Sequence, residues 1–515
     1  MRVLTLFRLL AAIVGLCASV LLYLALTPLP PPANIFTRPT WVGPVQVVDV
    51  EAGAVLPDRA IRIADGRIAA IVPIDTLDPE ARAALTDVGG AHVMSGLWDM
   101  HALSIRYAPA LDHPLHLAHG VTRLRNILNC AAEGSFELFP CQSDKRAWNA
   151  AIAAGTLAGP VIMESGSFPL NGPGRRPSAL PEVFDAATPE QARDMVRLVA
   201  ADPLRPEHLK AYDHLPRDSY LALVAEGLRH GMRTNGHVPV AVRVAEAVEA
   251  GHQAIAHARV LPIGCSAREQ EIMALRTARA PRLDWMRFAL ETYDPAVCAA
   301  LWARMAAAGT FISPTLVTRW NETRAGIDAF RADPDVARFT PLFIDLIQWE
   351  DIAAIEGRDA GTEDVYARYY EAAAARTAEA DRAGVRLLLG TDHYDLLVVP
   401  GLGMHHEIAL WRAAGIPNAA ILRALTVNAA AYAGREADMG RVAPGHVADL
   451  VFTDGDPLAD PAVLRRPAAV MIEGRLYDRA ALDGLLADAE AMAGSWRLTV
   501  HFLRDLLRNP REFVR

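Results

Sequence analysis

The 515-residue sequence predicts an α/β chain: a TIM-like (β/α)8 barrel, a composite β-sandwich made from both chain ends, and a transmembrane helix in front. Three observations carry this. Eight short apolar strand candidates lie at 94–101, 120–126, 160–165, 207–212, 233–238, 254–258, 311–316 and 385–391, separated by Ala-rich amphipathic stretches such as Ser219 to His230 and Ala241 to Ala250. Strands joined by helical crossovers pair in parallel, and eight of them close a barrel. Alternating runs on either side of this region read as further strands, and an uncharged apolar run precedes them all.

In chain order, Leu9 to Leu26 is that run, about eighteen residues and long enough to cross a bilayer. Arg2 and Arg8 precede it and no charge follows until Arg38. The positive-inside rule therefore puts the N-terminus in the cytoplasm and the body outside it, periplasmic in a bacterium, or secreted if the segment is cleaved. Residues 1–27 are read as the anchor and 28–43, with Pro28, Pro30, Pro31 and Pro32, as a stiff linker. Residues 44–95 and 436–482 supply the β-sandwich. Its signals are Val-Gln-Val-Val-Asp-Val from Val45, the hairpin pair Asp65-Gly66, and the strand-and-turn pattern from Gly440 to Asp454 and at Ala469. The barrel takes 96–435. Residues 483–515 form an extension in which Trp496, Val500, Phe502, Leu503, Leu506 and Leu507 alternate with Arg497, Arg504, Arg508, Arg511 and Arg515, a basic amphipathic helix suited to an anionic membrane surface.

Apolar residues make up 52% and charged residues 22%, enough for a large core. A net charge of −9 and the absence of any nucleic-acid motif argue against nucleic-acid binding. Outside the anchor, Cys130, Cys141, Cys265 and Cys298 allow two disulfides, with 130–141 and 265–298 the expected local pairs among three connectivities. Oligomeric state is left open.

Five residues of metal-ligating type fall at the ends of strand candidates. His101 closes Gly-Leu-Trp-Asp-Met-His, and Lys210 sits in His-Leu-Lys-Ala-Tyr. His237 lies in Asn-Gly-His-Val-Pro, His257 in Ala-Ile-Ala-His-Ala, and Asp392 ends Leu-Leu-Leu-Gly-Thr-Asp. Barrel enzymes carry their chemistry at those ends. Neutral imidazole and anionic oxygen are the donors that zinc-type ions use, with a position left open for water or substrate. In this order and context the series resembles the ligands of the amidohydrolase superfamily. The resemblance extends to Gly-Met-His405-His-Glu-Ile, Leu-Arg-Ala-Leu-Thr426-Val-Asn-Ala-Ala and Gly445-His-Val-Ala-Asp449-Leu-Val. It covers about Gln46 to Asp483 and is nearest to the imidazolonepropionase-like and prolidase-like branch.

The resemblance implies a small-molecule hydrolase cleaving an amide-type C–N bond in a dipeptide, N-acyl amino acid or cyclic amide. In the family pattern a His-x-His pair, the last-strand Asp and a carboxylated Lys hold one ion; that Lys and two further His hold a second. Here the first motif reads His101-Ala102-Leu103, and leucine coordinates nothing. The implied cofactor is therefore one divalent ion, zinc, on Lys210 (carboxylated), His237 and His257, with His101 and Asp392 left from the other position. Asp392 is the expected general base, oriented by His101 in an apolar corner near Leu103 that should raise its pKa. Tyr212, two residues after Lys210, is expected to face the same way and donate to an oxyanion. His393 is a candidate replacement ligand, and Arg175 and Arg176 are candidate clamps for a substrate carboxylate. The competing expectation, from Leu103, is a catalytically degenerate, metal-free barrel acting as a binding or scaffold module, with a plain Lys210 ammonium paired to Asp392.

Overall fold

The computed structural model describes residues 15, 19–20, 23–130, 138–173 and 184–508. Two sheets organise it. The first joins the two chain ends. Its strands are β1 (Trp41–Asp49), β2 (Ala54–Ala64), β3 (Arg67–Pro73), β4 (Leu85–Thr86) and β5 (His92–Ser95). The barrel strands follow: β6 (Leu97–Ala102), β7 (Val121–Asn126), β8 (Val161–Asn171), β9 (Phe184–Asp185), β10 (His208–Ala211), β11 (Arg233–Gly236), β12 (His252–Ala256) and β13 (Phe311–Ser313). The end sheet is completed by β14 (Leu450–Thr453), β15 (Ala469–Ile472) and β16 (Arg475–Asp478).

Hydrogen bonds run β16-β15-β14-β5-β1-β2-β3, with β4 beside β1, so strands more than 350 residues apart share one sheet. The expected hairpin forms: Ala64 faces Arg67 across Asp65-Gly66, both left-handed at φ 50° and 71°, the geometry a two-residue turn needs to match strand twist. Apolar residues at alternate positions, among them Val45, Val47, Ile61, Ile63, Leu450 and Met471, meet in one buried cluster. The end sheet thus folds around its own core.

The second sheet runs β6-β7-β8-β10-β11-β12-β13, all parallel, with β9 beside β8. Its strands are buried on both faces, as β6 and β7 show along their whole length, because helices cover the outside. Residues 385–392 bridge the two edges. Leu388 N–H donates to Ile312 O at 2.8 Å on the β13 side, and Met100 N–H donates to Leu389 O at 2.9 Å on the β6 side. The last strand candidate therefore closes the ring although its pairing is a single bridge, Ile312 to Leu387. The two sheets are pinned together by Arg123 of β7, whose Nε lies 2.5 Å from Asp449 Oδ2 just before β14. Both expected disulfides, Cys130–Cys141 and Cys265–Cys298, are present.

The membrane anchor requires correction. Most of Leu9–Leu26 lies outside the described residues, and among the described residues no helix is long and apolar enough to cross a membrane, so the membrane-anchored placement of the body is not supported. The described end of that run is tied to the body by polar contacts. Arg504 donates to the Ala25 carbonyl at 2.7 Å, Arg497 to the Pro28 carbonyl at 2.8 Å, and His501 Nε2 lies 2.9 Å from the Thr27 carbonyl. The membrane-facing role expected of the terminal helix Trp496–Arg508 is likewise not supported. Three of its polar side chains engage the protein, and Phe502 is docked by stacking on Phe343 at 4.5 Å, while Trp496, Leu503 and Leu507 stay exposed. Tyr107 adds a hydrogen bond to buried Asp505 at 2.8 Å.

Candidate functional site

The barrel brings the five expected residues to one mouth. His101 is the penultimate residue of β6 and Lys210 lies within β10. His237 and His257 come directly after β11 and β12, and Asp392 follows the closing segment. His257, Thr315 and Asp392 are all left-handed, at φ 66°, 44° and 56°, conformations that β-branched and bulky residues adopt only where surrounding structure enforces them. Close packing sets the rest. A Cβ on Gly390 would sit 2.5 Å from the Cβ of His101, and one on Gly236 would sit 2.9 Å from Cδ of Lys210. Only glycine leaves room for these two side chains.

Within the cluster, His101 Nε2 lies 3.3 Å from Asp392 Oδ1, and His257 Nδ1 lies 3.6 Å from Asp392 Oδ2. The Nε2 atoms of His237 and His257 face each other at 2.9 Å. His101, His257 and Asp392 form a group that could hold a metal ion, one ligand atom from each lying within 4.8 Å of the others. Three residues that the sequence reading did not single out hold the rings. Asp213 Oδ1 is 3.1 Å from His237 Nδ1, Arg259 Nη2 is 2.9 Å from both Asp213 oxygens, and Thr315 Oγ1 is 2.7 Å from His257 Nδ1. Arg259 Nη2 also lies 3.0 Å from His237 Nδ1. In the tautomers that give an Nδ1–H to Asp213 and to Thr315, both Nε2 atoms present lone pairs to the same point, an arrangement that suits a shared cation. Asp99 is a fourth such residue. It accepts from His101 N–H at 3.0 Å, Thr391 N–H at 3.1 Å and Thr391 Oγ1 at 2.6 Å, which fixes β6 against the segment carrying Asp392. The local signal for Asp213 and Arg259 was spacing: each lies two or three residues beyond a predicted ligand.

Electrostatics favour the donor forms. Burial holds the His101 imidazole down to about 4 and His237 down to about 3, against the pull of Asp392 and Asp213, so both rings are neutral at neutral pH. Burial likewise pushes His257 well below its ordinary value. Burial lowers the Lys210 ammonium to about 7, with Asp392 opposing. The expected rise at Asp392 is corrected. Burial does push it up, but His101 and Lys210 outweigh burial and leave it at about 2, an ionised carboxylate. Tyr212 lines the same cavity as Lys210, its ring 4.3 Å from that of His237, and burial raises its phenol so that it stays a donor. His393 does not reach the cluster: its Nδ1 lies 3.1 Å from Thr391 Oγ1 and its ring packs on His116. Arg175 and Arg176 lie outside the described residues.

Above the cluster opens a cavity of about 620 Å³, floored by Lys210, Tyr212, His237, His257 and Asp392. Leu103, in place of a ligand, packs against Ile127, Leu128 and Phe139 and forms part of its wall.

Residues 303–477 match the amidohydrolase family. No curated protein matches the chain in sequence. Among solved structures, the chain is similar to a bottromycin amidohydrolase at 24% identity and a TM-score of 0.70, covering 93% of this chain and 94% of the other. It is similar to a putative prolidase from Bifidobacterium longum at 22% identity and a TM-score of 0.61, covering 88% and 100%. A prolidase complexed with N-methylphosphonate-L-proline aligns at 21% identity and a TM-score of 0.56, covering 85% and 99%.

Proposed function

We propose that the chain belongs to the amidohydrolase superfamily, whose family model matches residues 303–477, and that it hydrolyses an amide-type C–N bond with one divalent ion. The observation that carries this reading is the pair of opposed Nε2 atoms of His237 and His257, 2.9 Å apart, with their Nδ1 atoms engaged elsewhere. Lys210, if carboxylated, would hold the ion together with His237 and His257, and His101 and Asp392 belong to the same cluster. The all-nitrogen and oxygen donor set suits zinc. Barrel residues 96–435 carry the chemistry and the end sheet, 44–95 with 436–482, supports it. A dipeptide, an N-acyl amino acid or a cyclic amide is the substrate class, which the prolidase and amidohydrolase likenesses support.

When bound, the ion polarises the scissile carbonyl and makes water more acidic. The chain's own groups do the rest. The Asp392 carboxylate accepts the proton of the attacking water and returns it to the leaving nitrogen, so that a C–O bond forms, the C–N bond breaks, and a carboxylic acid and an amine leave. His101, 3.3 Å away, holds that carboxylate in position. Tyr212 donates its phenol proton in a hydrogen bond to the developing oxyanion. A Lys210 amine that is partly neutral near pH 7 can add to CO₂, forming the N–C bond of a carbamate and releasing one proton.

Metal analysis of the full chain, purified without chelator beside His237→Ala, tests the reading. About one zinc-type ion per chain, lost in the variant, is expected. No ion after loading with zinc and bicarbonate would overturn it in favour of a metal-free binding barrel, the reading that Leu103 in the cavity wall favours.

A further inference from the structure

Resting on the hydrolytic reading, we infer that the substrate is an amide bearing a long apolar chain on one side of the scissile bond. The cavity is divided by chemistry. Its floor holds Lys210, Tyr212, His237, His257 and Asp392, and among the described residues the two guanidiniums beside that floor are already matched: Arg259 lies 2.9 Å from Asp213, and Arg319 lies 2.5 Å from Glu322. Dipeptide recognition needs a charge to meet each free terminus, and these guanidiniums are committed to carboxylates of the chain itself.

The walls are mainly apolar, with Gln348, Glu350, Tyr394 and Asp395 set among the apolar side chains. Leu103, Ile127, Leu128 and Phe139 form one side. The other side comes from two helices laid across the mouth, Leu342–Glu356 and Trp496–Arg508, joined by the Phe343–Phe502 stack. Each helix buries one face against the body and turns apolar residues toward the opening. Leu346 and Trp349 are each 59% exposed and Leu503 is 48% exposed, yet all three line this cavity. Apolar area left in water at a rim that runs continuously into a reaction floor is what a chain-shaped ligand would cover, at about 0.8 kcal/mol per buried methylene. A volume of about 620 Å³ lies within the range of small-molecule sites. Replacing the second histidine of the first motif by Leu103 extends this wall to the floor.

The test measures kcat/KM and, separately, binding by titration calorimetry. The ligands are N-acylglycines from acetyl to dodecanoyl, N-dodecylacetamide and free dipeptides, each below its micelle concentration, with the full chain. Affinity should rise with chain length by up to three- to fourfold per methylene until the cavity is filled. The dodecanoyl and dodecyl arms tell which side of the bond carries the chain. Leu346→Glu/Leu503→Glu should flatten the chain-length dependence. Leu506→Trp, which narrows the cavity without adding charge, should penalise long chains more than short ones. Unchanged melting temperatures show that both variants fold. Binding indifferent to chain length, or dipeptides preferred over dodecanoylglycine, would overturn the inference and leave hydrolysis standing. Chain-dependent binding without turnover of any amide would support the apolar site and sink the hydrolytic reading instead.

Discussion

The two sides of the reaction floor are built differently. On one side, His237 has its Nδ1 engaged by Asp213, which Arg259 holds, and His257 has its Nδ1 engaged by Thr315, so their inward nitrogens are fixed in direction. On the other side, His101 is 1% exposed, its Nε2 meets Asp392 at 3.3 Å, and its Nδ1 makes no hydrogen bond among the described residues. The usual partner of His101 in its motif is Leu103, turned into an apolar wall. Outer partners that orient a ligand histidine raise metal affinity as surely as the ligand does. The difference teaches that the floor has one imidazole pair whose outer nitrogens are held and one imidazole, His101, whose outer nitrogen is not.

The strongest way to break this comparison is to remove the group both sides share. Asp392→Asn should lower kcat by about a hundredfold to ten-thousandfold, measured on whichever amide is turned over. A next test separates the sides. Asp213→Asn should weaken metal affinity by about ten- to a hundredfold in a chelator competition, whereas His101→Asn should cost less. If His101→Asn loses the ion outright, the supported pair is not where the ion sits. Leu103→His asks whether the unsupported side can be restored. Metal analysis should still find a single ion and no gain in rate, because among the described residues His101 Nδ1 has no outer partner to hold a rebuilt pair.

The smallest expected effect concerns acid. His113 is another fully buried imidazole without a ring hydrogen bond, held down to about 3 by burial alone. The unfolded chain takes up a proton near pH 6.5 that the folded chain refuses until far lower, so stability falls as pH drops from 6.5 toward 4. At about 1.4 kcal/mol per pH unit this is about 3 kcal/mol for His113 at pH 4. Melting curves should decline across that window, less steeply in His113→Leu. An equal slope in the variant would place the acid sensitivity elsewhere.

Much of this molecule is legible in its sequence, and the part that is not has a common cause. The barrel strands, the Asp65-Gly66 hairpin and both disulfides follow from periodicity and local spacing, and the five floor residues from motif context. Asp99, Thr315 and the roofing of the cavity depend on contacts across the fold. Asp99 meets Thr391 across 292 positions of sequence and Thr315 meets His257 across 58. The terminal helix shows the limit most plainly. Alternation identifies its apolar face correctly, but pattern alone says nothing of what covers that face. In the fold Phe343 covers Phe502, and the carbonyls of Ala25, Thr27 and Pro28 engage Arg504, His501 and Arg497, contacts that the pattern alone does not reveal. The direction of the Asp392 shift was misjudged for the same reason, since it turns on Lys210 and His101 rather than on Leu103 nearby.

The position of that helix also sets an order of events during synthesis. Chains leave the ribosome N-terminus first, at about 5–20 residues per second, and fold as they emerge. The floor residues, the last of them Asp392, are all translated well before Leu503 and Leu506 of the roof. The end sheet waits too, since β5 pairs with β14 only after the barrel has been made. A nascent chain therefore carries all the floor residues beneath a half-roofed, apolar opening for several seconds, the interval in which a holdase chaperone would find it most readily.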